Sequence, residues 1–512
     1  MLAKVKSLGL VGIQGYEVRV EADLNSGLPK FDIVGLPDIS IKESKERIRS
    51  AIKNSNFKFP ITKVTVNLAP ADIKKEGPLY DLPIAVALLV CTEEIRCTNL
   101  KDYTFMGELS LDGSIRRING VLPALITAIK QGHKKIFIPA ENSVEASFID
   151  GIDVYGVENL RQVVDFLNGK SELPSIKKQN FSDLCSKNSS SNDFSYIRGQ
   201  AHSKRALEIA AAGGHNVLMI GPPGAGKTML ARSVPTIMPD LTFDESLEVT
   251  KIHSIAGTLN LDEGIILQRP FRSPHHTSTL IALTGGGNNA KPGEISLSHN
   301  GILFLDELPE YNRHTIETLR QPLEDGVITI ARNSLTVEYP ASFMLIASMN
   351  PCPCGNFGSK KRECKCTQSA IQKYLGKISG PLLDRIDLHV EVDDVSYDDL
   401  TAKDKTEESS ADIKIRVNKA RDIQLERYKN SNHFCNAKMT NSEIRKYCVL
   451  DKDCEELMQD AFDNLALSAR AYNRILKVSR TIADLEGVEN INISHLAEAI
   501  GYRSMDKKYN FR

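Results

Sequence analysis

Long apolar runs and net charge are both scarce in this chain, and each shortage excludes a class of protein. The longest strongly apolar run, residues 84–91, is far too short to cross a bilayer, which takes about 20 residues. Two early lysines give way to polar sequence by residues 14–21, so no secretory signal is read, and a cytoplasmic protein with no membrane partner is expected. The formal net charge is −1, from 64 Lys+Arg against 65 Asp+Glu, which argues against an exterior coated for nucleic acid. No short repeat is evident. What remains is ordinary: 512 residues, 41% hydrophobic and 25% charged, the make-up of a globular chain of several domains.

Against that background one octet stands out. Gly221-Pro222-Pro223-Gly224-Ala225-Gly226-Lys227-Thr228 matches G-x-x-x-x-G-K-[ST] at every position, a match that chance supplies roughly once in fifty chains of this length. It follows apolar Val217-Leu218-Met219-Ile220, read as a buried parallel strand, and precedes Met229-Leu230-Ala231-Arg232, read as helix. The loop's amide N–H groups therefore converge at a positive helix end. Gly221, Gly224 and Gly226 let the backbone approach phosphate oxygens without a Cβ clash. Lys227 is expected to reach the β and γ phosphates of ATP and the Thr228 hydroxyl to bind Mg²⁺, with Met229 closing the nucleotide-binding segment.

Further on, Ile302-Leu303-Phe304-Leu305 forms a second apolar strand ending in Asp306-Glu307. That is the carboxyl edge, where open parallel sheets bind ligands. Asp306 is expected to hold the magnesium and Glu307 to polarise the attacking water. Two β-rich runs flanking Asn333-Ser334 read as a hairpin. A strand at residues 343–347 then delivers Ser348, Met349 and Asn350. Asn350 could orient the lytic water, although Asn before Pro is also a common turn starter.

Together with Ser348-Met349-Asn350-Pro351-Cys352-Pro353-Cys354-Gly355 and Gly380-Pro381-Leu382-Leu383-Asp384-Arg385-Ile386-Asp387, these blocks resemble the ComM/YifB family of magnesium-chelatase-like AAA+ ATPases over nearly the whole chain. The resemblance implies an α/β fold. Its parts are a P-loop AAA+ core with a parallel sheet and helices on both faces, an N-terminal Lon-protease-like (ribosomal S5 domain 2-like) domain, and a helical C-terminal lid. It implies a ring, a hexamer, that binds single-stranded or branched DNA and drives branch migration or helicase-type remodelling in recombination or natural transformation. Residue by residue, it implies Asn350 as sensor 1 and Arg385 as an arginine finger acting on the neighbouring subunit's phosphate. Arg470, in Leu467-Ser468-Ala469-Arg470, matches the arginine that a lid helix brings over the nucleotide. Arg320 is a second candidate for a contact in trans. Arg474 and Arg480 share Arg470's helix, and arginine beside aspartate is also often a surface ion pair.

Two other readings stay open. A chelatase motor would need a partner subunit carrying the metal and tetrapyrrole. A protein unfoldase would use an aromatic pore loop, here without tryptophan, although the chain has 14 Tyr and 17 Phe. A DNA-working ring needs positive groups only in its pore. Lys251, Lys291, Arg269 and Arg272 lie in the stretch where such inserts are built, although each also reads as a solvated surface charge. His275-His276 and Gly285-Gly286-Gly287 in the same stretch read as a structural turn, because no third metal ligand is near.

Four of the ten cysteines, Cys352, Cys354, Cys364 and Cys366, form C-x-C, nine residues, then C-x-C. Such thiolates can close a structural Zn²⁺ site, tighter in spacing than the usual C-x₂-C; reduced structural thiols and a redox switch are the alternatives. The other six show no ligand spacing. Serine-rich residues 177–193 divide the chain, giving 1–170 as the Lon-like domain, 171–194 as linker, 195–395 as the ATPase core with the cysteine cluster, and 396–512 as the lid. In the first unit, strands are read at residues 16–20 and 63–68 and helices at 40–55 and 82–91. Leu79 and Leu122 stand where a Lon peptidase needs serine and lysine, so no peptidase activity is expected. In the last unit, a basic helix at 413–429 reads as a solvated lid face, with a DNA contact as the alternative, Ser468 and Gly487 bracket a long helix, and Ser494 is expected to cap another.

Overall fold

The computed structural model describes the chain except residues 186–191, 261, 288–289, 333–334, 360–361, 395–406, 432, 466, 506–508 and 510–512. The serine run 189–191, the hairpin tip Asn333-Ser334 and the end of the acidic stretch after Glu391 lie outside the described residues.

The first two strands, Leu2–Val11 and Gln14–Asn25, form an antiparallel hairpin closed by Gly12-Ile13. They sit in the middle of a seven-stranded mixed sheet, flanked by Lys63–Ala69 and Lys30–Val34 on one side and by Tyr103–Phe105, Lys135–Pro139 and Asp153–Val157 on the other. Alternation along the strands puts Val18, Val20 and Ala22, with Val64, Val66 and Leu68, into one core. The longest apolar run of the sequence is the helix Asp81–Cys91, buried at every residue but Val90. A helix apolar all round belongs inside a protein, and this one crosses the sheet. Leu79 and Leu122, the positions that would need serine and lysine, belong to the same core.

The second sheet is wholly parallel, in the order Phe271–Arg272, Ile302–Leu305, Met344–Met349, Val217–Ile220, Leu388–Glu391. The middle three strands are completely buried, which is why they read as unbroken apolar runs rather than as alternating ones. The hairpin Val327–Arg332 with Leu335–Pro340 stands apart as a separate antiparallel pair.

The C-terminal helices Ser410–Arg427, Lys452–Asn464, Ala469–Glu486 and Ile493–Gly501 share one hydrophobic core with the first helix of the ATPase unit, Ala201–Gly213. Ser468 caps Ala469–Glu486 through the Ala471 N–H, and Gly487 ends it at φ 71°. The last helix departs from expectation: Asn492, not Ser494, is the cap, accepting from the His495 N–H, while Ser494 donates back to Asn492. Asn reaches the exposed N–H groups as well as Ser does, so sequence alone placed the cap two residues late. The stretch read as linker is also less free than its composition suggests. The Ile176 N–H donates to the Val154 carbonyl at 2.8 Å, and Phe181 meets Phe243 edge to face.

The N-terminal unit docks on the ATPase unit through a buried carboxylate. Glu145 accepts from the Leu122 N–H at 3.0 Å, from Asn142 at 3.2 Å and from the Ser254 hydroxyl, the last being on the ATPase helix Phe243–Ala256. Gly120 N donates to the same Ser254 oxygen, and Arg117 to the Leu259 carbonyl. At a second point the hairpin turn meets the separate β-pair: a Cβ on Gly12 would come within 2.2 Å of Val337.

Burial raises the Glu145 pKa, with the Ser254, Leu122 and Asn142 hydrogen bonds pulling the other way. Because the folded carboxyl keeps its proton to higher pH than an unfolded one, its contribution is full at low pH and declines as pH rises through the interval above about 4.5. Glu145→Ala removes the acceptor of the Leu122 N–H and the Ser254 hydroxyl, while Asn142 keeps the Ile118 carbonyl, and should cost on the order of 2 kcal/mol in urea unfolding. Glu145→Gln should cost less and lose this part of the pH slope.

Candidate active site

The strand Val217–Ile220 delivers the phosphate-type loop, and the helix Lys227–Ser233 starts at its end. Gly224 at φ 84° and Gly226 at φ 88° occupy backbone conformations that residues with a Cβ rarely adopt, so their identity is dictated by the turn. The Lys227 ammonium folds into the loop, donating to the carbonyls of Gly221 at 2.6 Å and Pro222 at 2.9 Å and to Asn350 Oδ1 at 3.2 Å. Burial lowers its pKa to about 8, against the pull of Asp306 and Glu307.

Parallel register then assembles the rest. Ile220 pairs with Met349, and Leu305 with Ala347, so three strands end at one edge carrying Lys227, Asp306 and Asn350. Thr228 Oγ1 donates to Asp306 Oδ2 at 2.9 Å, and Ser348 Oγ donates to Asp306 Oδ1. The backbone N–H of Glu307 also donates to Asp306 Oδ1, at 3.0 Å. Glu307 itself is left-handed, φ 54°, with its side chain 54% exposed. A cleft of about 400 Å³ is lined by residues 223–229, Asp306, Glu307, Ser348, Met349 and Asn350. A hydroxyl and a carboxylate converging from two strands are the hard oxygen donors that suit Mg²⁺. The cleft's loop amides, lysine and paired carboxylates fit a nucleoside triphosphate with its metal.

Sequence reasoning assigned no role to Ser348 or to Gln200. Gln200 bridges the Ala225 and Asp393 carbonyls, tying the start of Ala201–Gly213 to the loop. Ser348 sits one residue before the strand's last, a position the register alone makes significant.

The arginines separate clearly. Asn216, at the amino end of Val217–Ile220, accepts Arg385 into its surroundings by donating to the Arg385 carbonyl at 3.1 Å, and the Asn216 N–H donates to Asp387. Arg385 therefore lies at the edge of the sheet opposite the phosphate loop. It is 4% exposed, pairing with Glu324 and donating to the Pro381 carbonyl. Arg470 is 3.8 Å from the same Glu324 and 59% exposed. Arg470 thus stands beside Arg385 and not over its own chain's loop, as a lid arginine was expected to. Arg474 and Arg480 are internal: Arg474 pairs with buried Asp387, and Arg480 with Asp484 and the carbonyls of Val488 and Glu489. Arg320 pairs with Glu317 on its own turn.

Two basic residues read as solvated are tied down by acids distant in sequence. Arg269 is bound by Glu245 and by the carbonyls of Pro239, Asp240 and Asn300, and Arg272 by Glu294. Lys251 is partly buried, and Lys291 is exposed on the short β-pair with Gly286.

The four clustered cysteines converge. Cys352, Cys354 and Cys364 have sulfur separations of 3.3–3.7 Å, and all four ligand atoms lie within 4.8 Å of one another. Tetrahedral Zn–S bonds of 2.3 Å imply sulfurs about 3.8 Å apart, so the set fits a metal. The Asn356 and Lys365 N–H groups donate to Cys354 and lower its pKa to about 6. The knuckle rests on the phosphate loop: a Cβ on Gly355 would come within 2.5 Å of Pro223.

Comparison with known proteins agrees along the chain. Residues 193–400 match the family model described as magnesium chelatase, subunit ChlI; residues 20–142 match subunit ChlI of Mg-chelatase; and residues 407–503 match the ChlI C-terminal model. The chain is 44% identical to the competence protein ComM of Haemophilus influenzae over 98% of both chains. It is 42% identical to the uncharacterized protein YifB of Escherichia coli, over 99% of this chain and 98% of that one. A magnesium-chelatase 38 kDa subunit of Cereibacter sphaeroides is 24% identical over 59% of this chain and 88% of its own. With the nucleotide-type cleft, the parallel sheet and these matches in agreement, the chain belongs to the ComM/YifB family of magnesium-chelatase-like AAA+ proteins.

Proposed function

We propose that this AAA+ motor hydrolyses ATP at subunit boundaries of a ring, a hexamer, and spends the cycle moving or remodelling single-stranded or branched DNA. The observation that carries the ring is the placement of Arg385 and Arg470 together at Glu324, on the edge of the sheet away from their own phosphate loop. Groups so placed are out of reach of their own loop and would serve a neighbour's nucleotide. Glu324, half exposed, would release Arg385 as the neighbour's phosphate charge takes its place. Support for DNA comes from the relative named competence protein ComM, matched end to end. Branch migration in recombination or transformation is the corresponding activity.

Within one site, Thr228 and Asp306 would hold the magnesium, which screens the phosphate charge when bound. Lys227 would leave the carbonyls of Gly221 and Pro222 for the terminal phosphates. Glu307 would take the proton of the attacking water, and Asn350 would fix that water's direction. The base edge of the nucleotide would lie near Gln200. In the N-terminal unit, a Lon-type fold with leucines at positions 79 and 122 would serve as a docking platform without peptidase chemistry.

The chelatase reading draws on the family descriptions themselves, and DNA dependence of turnover separates it from ours. Single-stranded or branched DNA should raise the ATPase rate several-fold; a rate and an assembly state indifferent to both would favour the chelatase reading. Glu307→Gln should bind ATP with the parent's affinity yet lower kcat by about 10² or more, read by equilibrium binding and single turnover.

The cysteine knuckle is proposed to hold Zn²⁺ in a closed structural site that braces Pro223. Metal analysis should find about one zinc per chain, as four protein thiolates require. Cys364→Ser should lose the metal and weaken ATP binding before it alters the global fold by circular dichroism. A metal-free parent with full ATP affinity would remove the zinc assignment.

A further inference from the structure

Arg385 and Arg470 meet at Glu324, but they reach it from different units. Arg385 belongs to the segment that leads into the strand Leu388–Glu391, and Arg470 to the first turn of the lid helix Ala469–Glu486. One ion pair joins those two carriers beneath the surface. Asp387, two residues after Arg385, is 2% exposed and pairs with Arg474, one helical turn after Arg470 on the same face.

The carboxylate is fixed from its other sides as well. The Asn216 N–H donates to Asp387 Oδ2 at 2.8 Å, and His215 Nδ1 lies 3.8 Å from the same oxygen. The Asn216 side chain donates to the Arg385 carbonyl and accepts from the Leu345 N–H at 2.8 Å, so the backbone around Arg385 is locked to two strands of the sheet. Burial alone would raise the Asp387 pKa. Arg474, the His215 ring and the Asn216 N–H overcome it and hold the carboxyl well below the usual carboxylate range, so Arg474 faces an anion. The rest of the lid helix has its own anchors. Thr481 Oγ1 and His215 Nε2 are 2.7 Å apart, and Asp484 pairs with Arg427. Nearer Arg470, the Ser468 hydroxyl reaches Asp384 at a longer 3.4 Å.

A buried ion pair adds little net stability over an apolar pair of the same shape, but it can hold two elements in one relative position. We propose that Arg474 is a positioning residue, whose pairing with Asp387 clamps the lid helix to the Arg385 segment so that Arg385 and Arg470 are presented together to the neighbouring subunit's nucleotide. This rests on the reading of Arg385 as acting on a neighbour. Arg474 touches no phosphate in this scheme and acts through Asp387.

Mixed rings distinguish this role from a general loss of structure, because the defect belongs to the amino edge of the sheet alone. Arg474→Gln should bind ATP with the parent's affinity and lower kcat about tenfold or more, and Arg474→Lys, which keeps the charge, should recover part of that loss. In a ring mixed with Lys227→Ala, an Arg474→Gln subunit keeps its phosphate loop and receives Arg385 from its neighbour. That mixture should regain activity as a mixture of Arg385→Ala and Lys227→Ala does. Mixed with Arg385→Ala, it should stay at the level of its components, since neither subunit then presents a well-placed Arg385. Should Arg474→Gln fail to fold, Arg474→Gln combined with Asp387→Asn removes both buried charges at once and should show the same pattern. An Arg474→Gln rate within about twofold of the parent, recovery with Arg385→Ala, or no recovery with Lys227→Ala overturns the proposal. If Arg385→Ala and Lys227→Ala do not themselves complement, the reading of Arg385 fails first, and that result is distinguishable from failure at Arg474.

Discussion

A parallel sheet has two chemically different edges, and everything functional in this chain follows from which edge a residue occupies. The strand Val217–Ile220 is four residues long, so about 13 Å of packed core separates its ends. At the carboxyl end, loop amides, Lys227, Asp306 and Asn350 face one cleft. At the amino end, Asn216 braces the backbone that carries Arg385. No side chain spans a buried sheet lengthwise, so on the proposed reading the phosphate loop and Arg385, at opposite edges, meet between molecules. The proposed ring would let every copy use both of its edges.

Asp306 is the hub of the carboxyl edge. It collects a hydroxyl from the loop's helix, a hydroxyl from the neighbouring strand and a backbone N–H from Glu307. Thr228 and Asp306, which would hold the magnesium, share a hydrogen bond, and Ser348 of the neighbouring strand donates to the same carboxylate, so nucleotide loading would be felt by both strands. Around this hub the protein adds supports drawn from remote sequence. The cysteine knuckle presses on Pro223, and the N-terminal unit grips Phe243–Ala256 through Glu145 and touches the outer hairpin at Val337. Each ties a separately folded piece to an element that leads into the cleft.

How much of this could be read beforehand depended on whether the signal was local. The phosphate loop was legible because Gly224 and Gly226 answer a backbone requirement within eight residues, and the strands because full burial leaves an apolar run. Ser348 and Gln200 were not legible, since their contacts arise from strand register and from elements that meet only in space. Charge was the poorest guide. Arg269 and Arg272 looked like surface groups until Glu245 and Glu294, both distant in sequence, were seen to hold them. On one helix, three arginines proved different: Arg474 and Arg480 are consumed by buried aspartates, and Arg470, the one matched to the lid arginine, remains outward. The arginine motif singled out Arg385 as a candidate, but not that Glu324 covers it.

The claim that the two edges work between molecules is tested most directly by mixing two inactive variants, Lys227→Ala and Arg385→Ala. In a mixed ring, an Arg385→Ala subunit keeps its phosphate loop and can receive Arg385 from a Lys227→Ala neighbour. The account predicts that neither variant alone hydrolyses ATP appreciably and that the mixture regains a substantial fraction of the parent rate. A mixture as inactive as its components, with rings shown to exchange subunits, would mean that Arg385 serves its own chain, and would contradict the account.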